Sequence, residues 1–122
     1  MSRRTEQVAE EIRRHISELM LTEMRDPRIG LATVTAVHVS PDLKNARVHV
    51  SVLGSEEDEA SSLRVLRRAA GFLRTELAKR MVLRQVPELR FAADPTTREA
   101  AHINRLLSEV SPGPEDDAEP EG

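Results

Sequence analysis

Two strand-like segments, 31–40 and 46–53, are separated only by Pro41-Asp42-Leu43-Lys44-Asn45. A parallel crossover takes about a dozen residues or more, so this turn-rich pentapeptide implies an antiparallel hairpin. The first segment is rich in Val and Thr. The second sets Ala46, Val48, Val50 and Val52 against Arg47, His49 and Ser51. One face of such a pair is apolar and must be covered, and Gly54 closes the unit.

The cover is written into the flanking sequence. Val8, Ile12, Ile16, Leu19 and Met20 recur at spacings of three and four, which predicts a helix from about Arg3 to Met24. Ser2 caps its start. Asp26-Pro27 ends it, because the residue before proline is pushed out of the α region, and Gly30 releases the chain into the hairpin. Ser55 followed by Glu56, Glu57, Asp58 and Glu59 has the form of a second helix start, with a hydroxyl cap and carboxylates at the positive dipole end. Further along this run, Leu63, Leu66, Ala70, Leu73 and Leu77 share one side. Arg64, Arg68 and Lys79 fall nearly opposite, and Arg67 and Arg74 flank that basic side. Gly71 interrupts the run and predicts a kink between two helices.

Val86-Pro87 stops the second of these helices, and Leu89, Phe91 and Ala93 alternate with Arg90 and Ala92 as a third strand. Asp94-Pro95-Thr96-Thr97 leads into a last helix carrying Ala100, Ile103, Leu106, Leu107 and Val110, capped by Thr96 or Thr97. Beyond Val110 the chain turns to Pro, Gly and acid, which bury too little apolar area to offset the entropy of ordering, so residues 111–122 read as a disordered acidic tail. The expectation is an α+β domain over residues 1–110, ordered α-β-β-α-α-β plus a C-terminal helix, with a three-stranded mixed sheet backed by helices.

A chain of 122 residues suits one such domain. It has no cysteine, which removes thiolate catalysis, disulfides and cysteine zinc sites and fits a reducing cytoplasm. The basic start Met1-Ser2-Arg3-Arg4 leads into a stretch broken by polar residues, so no signal peptide is expected. No stretch approaches the roughly 18 apolar residues that span a bilayer, which makes a membrane partner unexpected. The net charge of -3 conceals an asymmetry, because five acids crowd residues 115–121. Between residues 64 and 90, Arg64, Arg67, Arg68, Arg74, Lys79, Arg80, Arg84 and Arg90 face only Glu76 and Glu88, a local charge of +6. Such a concentration favours a polyanionic partner.

Asp26-Pro27-Arg28-Ile29-Gly30, Val39-Ser40-Pro41-Asp42-Leu43, Ala46-Arg47-Val48-His49-Val50-Ser51-Val52, Ala69-Ala70-Gly71-Phe72 and Val86-Pro87-Glu88-Leu89-Arg90-Phe91 occur in this order. In these landmarks the chain resembles the ribosome-binding factor A family over positions 3–110, with the fold of a type II K-homology domain. The family pattern usually has arginine where Gln7 stands and often an aromatic residue where His49 stands. The resemblance implies binding to the immature small ribosomal subunit and its rRNA, assistance to rRNA 5′-end processing, and support for growth in the cold. It also implies a monomer without cofactor, metal or small-molecule substrate.

An ordinary K-homology domain grips single-stranded nucleic acid with a Gly-x-x-Gly loop, which this chain lacks. The family's substitute is Ala-x-Gly, matched by Ala69-Ala70-Gly71, whose small side chains would admit an RNA backbone; the alternative is that they only permit tight helix packing. The candidate RNA-binding residues are Arg28, Arg64, Arg67, Arg68, Ala69, Ala70, Gly71, Arg74, Lys79, Arg80 and Arg84; for the arginines the alternative is a solvated helix face. Phe72 and Phe91 both fall where a core residue is expected, so recognition should rest on phosphates and RNA shape rather than stacked bases. Catalysis has thin candidates. His38 and His49 come close across the hairpin but lack an evident third ligand, and no Walker loop or dinucleotide fingerprint is present.

Overall fold

The computed structural model describes residues 2–24, 26–29 and 31–96, together with Leu106; the side chain of Arg28 lies outside this description. The elements run α1 (Arg3–Thr22), a 3-10 turn (Pro27–Ile29), β1 (Ala32–Val39), β2 (Asn45–Val52), α2 (Glu56–Arg68), α3 (Ala70–Arg80) and β3 (Glu88–Ala93). This is the α+β, K-homology-like order. The expected final helix falls outside the described residues apart from its approach through Thr96 and Leu106, as do His102 and the acidic segment 111–122.

The sheet order is β1-β2-β3. β1 pairs antiparallel with β2, as the short turn requires, and β3 pairs parallel with β2 after a crossover through both helices. The turn holds itself together. Ser40 Oγ donates to Asp42 Oδ1 at 2.7 Å, the amide of Lys44 donates to the same oxygen at 3.0 Å, and Leu43 takes a positive φ of 63°. A β-bulge between Val34 and Ala36 interrupts the regular alternation of the strand. It shifts that alternation by one residue, so that Val34 before it and Val37 and Val39 after it all turn to the helices.

Helix α1 buries Val8, Ile12, Ile16, Leu19 and Met20, the stripe that its spacing predicts, and Ser2 Oγ accepts the Thr5 amide at 3.1 Å. It ends at Thr22, two residues before Met24, because Asp26 ahead of Pro27 cannot remain helical and the chain unwinds before reaching it. At α2, Ser55 and Asp58 form a capping box, the Asp58 amide donating to Ser55 Oγ at 3.1 Å and the Ser55 amide to Asp58 Oδ2 at 2.9 Å.

The helix pair corrects one expectation. The break falls at Ala69 (φ -86°, ψ 1°), and Gly71 sits inside α3. Ala69 occupies the bridge region open to any residue, and its amide is shared between the carbonyls of Val65 at 3.0 Å and Leu66 at 3.1 Å, so the bend requires no glycine. A second correction concerns Phe72. It is 44% exposed, whereas Phe91 is buried as expected. Leu73 and Leu77, one and five residues further on, occupy the core face of α3 instead. Ile12, Ile16, Leu19, Val48, Val50, Leu66, Leu73 and Leu77 form the fully buried centre between the helices and one face of the sheet.

Candidate nucleic-acid interface

The cations of residues 64–90 divide into three groups. Arg67 and Arg74 are turned towards the backbone of the third strand and its approach. Arg67 donates from Nε at 3.1 Å and Nη2 at 2.8 Å to the Phe91 carbonyl, and Arg74 does the same to the Val86 carbonyl at 3.1 and 2.9 Å. Each guanidinium has five N–H donors, so three remain after this forked bond, but the side chain is anchored. These two residues therefore have a structural role beside the phosphate contact expected of them, and Arg67 is itself exposed.

The second group is paired with carboxylates. Lys79 meets Glu76 at 3.1 Å and Arg80 meets Glu18 of α1 at 3.3 Å. Arg90 lies 3.6 Å from Glu88 on the other side of the sheet from the helices. Exposed pairs of this kind contribute little to stability and can be exchanged for other anions.

The third group is open. Arg64, Arg68 and Arg84 are exposed, and among the described residues neither Arg68 nor Arg84 has an ion pair, while Arg64 makes one long bond of 3.4 Å to Ser61 Oγ. A groove along α2 is lined by Glu59, Ala60, Leu63, Arg64, Arg67 and Arg68, acidic towards the helix start and basic towards its end. The 3-10 turn carrying the backbone of Arg28 packs against α2.

Gly71 and Phe72 follow directly and are exposed. A Cβ placed on Gly71 would meet no described atom within 4 Å, so tight packing within the described residues does not account for this glycine. Ala69 and Ala70 differ: both are half-buried and packed against the core cluster. The structure therefore brings Arg64, Arg67, Arg68, Gly71 and Phe72 into one exposed stretch, with Arg67 anchored at Phe91, and leaves Arg74 half-buried at Val86.

The catalytic candidates stay sparse. His38 and His49 meet edge to face with centroids 5.2 Å apart, and no group of three metal-ligating side chains occurs among the described residues. Desolvation, then the proximity of His38, lowers the His49 pKa from its ordinary value. His15 is largely buried, its Nδ1 4.0 Å from Glu18 Oε1 and without a hydrogen-bond partner. No helix among the described residues is long and apolar enough to cross a membrane.

Comparison with known proteins agrees with this geometry. The family model for ribosome-binding factor A matches residues 4–107. Ribosome-binding factor A of Desulfitobacterium hafniense is 46% identical over 114 residues, covering 93% of this chain and 91% of the relative. That of Natranaerobius thermophilus is 44% identical over 110 residues, covering 90% and 84%. Among solved structures, the crystal structure of ribosome-binding factor A from Thermus thermophilus superposes with a TM-score of 0.64 at 32% identity, over 73% of this chain and 94% of that one. A Thermus thermophilus homology model fitted into a cryo-EM map of a complex of the 30S subunit with that factor superposes with a TM-score of 0.61 at 33% identity, over 72% and 92%. With the family model spanning both the hairpin and the helix pair, and relatives similar over nearly their whole length, the chain belongs to the ribosome-binding factor A family.

Proposed function

We propose that this chain is a non-catalytic assembly factor that binds the immature small ribosomal subunit, assists maturation of the 5′-end region of its rRNA, and supports growth in the cold. It acts in the cytoplasm as a monomer and needs neither cofactor nor metal. The contact is to rRNA phosphates through Arg64, Arg68 and Arg84, with Lys79 and Arg80 exchanging their carboxylate partners for phosphate and Arg28 adding a contact from the neighbouring turn. Arg67 and Arg74 shape the surface and offer their remaining donors. Ala69-Ala70-Gly71 supplies the close approach for an RNA backbone.

The observation that carries this reading is the open space over Gly71 beside an exposed Arg68 that has no ion pair among the described residues. A helix-interior glycine with nothing packed on it is a liability to folding, and access by an outside backbone gives it a purpose. Support also comes from family membership and from the relative seen with the 30S subunit. The test is sedimentation of the chain with immature and mature small subunits over a salt series. Co-sedimentation favouring immature particles and falling steeply with salt is expected. Salt-independent binding, or none at low ionic strength, would overturn the reading.

A further inference from the structure

The face of the sheet turned away from α1, α2 and α3 carries His38, Arg47, His49 and Arg90. The register aligns three of them. His38 on β1 is opposite Arg47 on β2, and Arg47 is level with Arg90 on β3, so the row crosses every strand of the sheet. His49 lies two residues along β2 from Arg47 and touches the ring of His38. A shallow groove over this row is lined by His38, Ser40, Asn45, Arg47 and Arg90, with exposed Lys44 in the adjoining turn.

Like charges level with each other on paired strands repel, and folding alone does not favour them. Compensation here is partial, and the Asp94 carboxylate is near enough to act on His49. Glu88 reaches Arg90 at 3.6 Å, with both side chains well exposed, and Arg47 has no ion pair among the described residues. The nearby Asp42 is engaged within its own turn by Ser40 and Lys44. A groove with two exposed guanidinium forks and few counter-charges suits phosphodiester oxygens, which guanidinium matches in pairs.

We infer that the open sheet face, centred on Arg47 and Arg90, is a second phosphate-binding surface that takes another segment of the small subunit's rRNA. This rests on the proposed function. The Arg68 surface belongs to the helix layer and this one to the opposite side of the sheet, so the protein is held between two stretches of RNA. Neither stretch need be close to the other in sequence.

The test measures binding of the full-length protein to immature small subunits over a KCl series, for the unaltered chain, R47E/R90E, R47Q/R90Q and R68E/R84E. R47E/R90E should weaken binding by about tenfold or more and lower the dependence of log affinity on log salt by about one to two. R47Q/R90Q should weaken binding less while melting at or above the unaltered temperature, because it relieves repulsion; a lower melting temperature would mean that the arginines serve the fold, and would overturn the proposal. If R68E/R84E loses binding and R47E/R90E does not, the sheet face is not a contact, although the proposed function stands. If neither pair matters, the RNA reading fails and this inference with it. Tighter binding by R47E/R90E would mean that the chain's own acidic residues 115–121 occupy the face, again overturning the proposal. A photo-crosslinking side chain at Thr35, on the same face, should capture rRNA; adducts to protein alone would assign the face to an acidic protein surface and reject it.

Discussion

The guanidinium of Arg67 straddles the main-chain carbonyl of Phe91, giving it two N–H bonds of 3.1 and 2.8 Å and tying the end of α2 to the third strand. Arg74 repeats the arrangement on Val86, so two arginines fasten the crossover to the segment that it delivers. Hydrogen bonds from a charged donor contribute about 1.5–3 kcal/mol when well protected and less when partly solvated. Arg67→Ala and Arg74→Ala are therefore expected to destabilise the fold by about 1–2 kcal/mol each in urea titration. Arg68→Ala should change stability by less than about 0.5 kcal/mol while weakening subunit binding. Equal stability losses at all three positions would contradict this division.

Gly71 lies within α3, and no atom of the described residues comes within 4 Å of where its side chain would begin. Gly71→Ala should raise stability by about 0.5–1 kcal/mol in thermal or chemical denaturation, since alanine favours the helix and restricts the unfolded chain. The same substitution should reduce affinity for immature small subunits. A gain in stability without loss of affinity would remove the RNA backbone from this position.

Only Phe91 of the two aromatic residues is a core residue. Phe91→Ala is expected to cost about 3–5 kcal/mol, and Phe72→Ala less than about 2 kcal/mol, compared by the midpoint of urea unfolding. Equivalent losses would show that Phe72 contributes to packing far more than its exposure indicates.

His49 gives a pH dependence. Its pKa is lowered from 6.5, first by desolvation and then by the nearby charges of His38 and Arg47. Below 6.5 the unfolded chain takes up a proton at this position that the folded chain resists, so the stabilisation present above the unfolded value is lost as pH falls through the folded one. His49→Gln should therefore reduce the drop in melting temperature between neutral pH and about pH 5. An unchanged drop would place the acid sensitivity elsewhere.

The elements themselves could be read from the chain because their signals are local. The five residues between Ser40 and Ala46 dictate a hairpin, Ser55 with Asp58 closes a capping box, and the spacing of Val8, Ile12, Ile16 and Leu19 specifies a helix face. What escaped the sequence depends on tertiary neighbours. Gly71 draws attention as a hinge, yet the break falls at Ala69, whose backbone angles need no special residue. Phe72 looks like core, but Leu73 and Leu77 take that side of the helix. Arg67 and Arg74 look like their exposed neighbours until the carbonyls of Phe91 and Val86 come within reach. The basic row on the sheet is equally hidden, since Arg47 and Arg90 lie far apart along the chain and only the parallel register places them level.

The extra residue between Val34 and Ala36 also bears on how this chain can vary in length. Losing Thr35 would restore strict alternation and leave Val34, Val37 and Val39 facing the helices, whereas keeping it without the bulge would turn Val37 and Val39 outwards and His38 inwards. Related chains should accordingly tolerate loss of the residue at position 35 far more readily than loss of one between Val37 and Val39, which would reverse the faces on one side of the deletion.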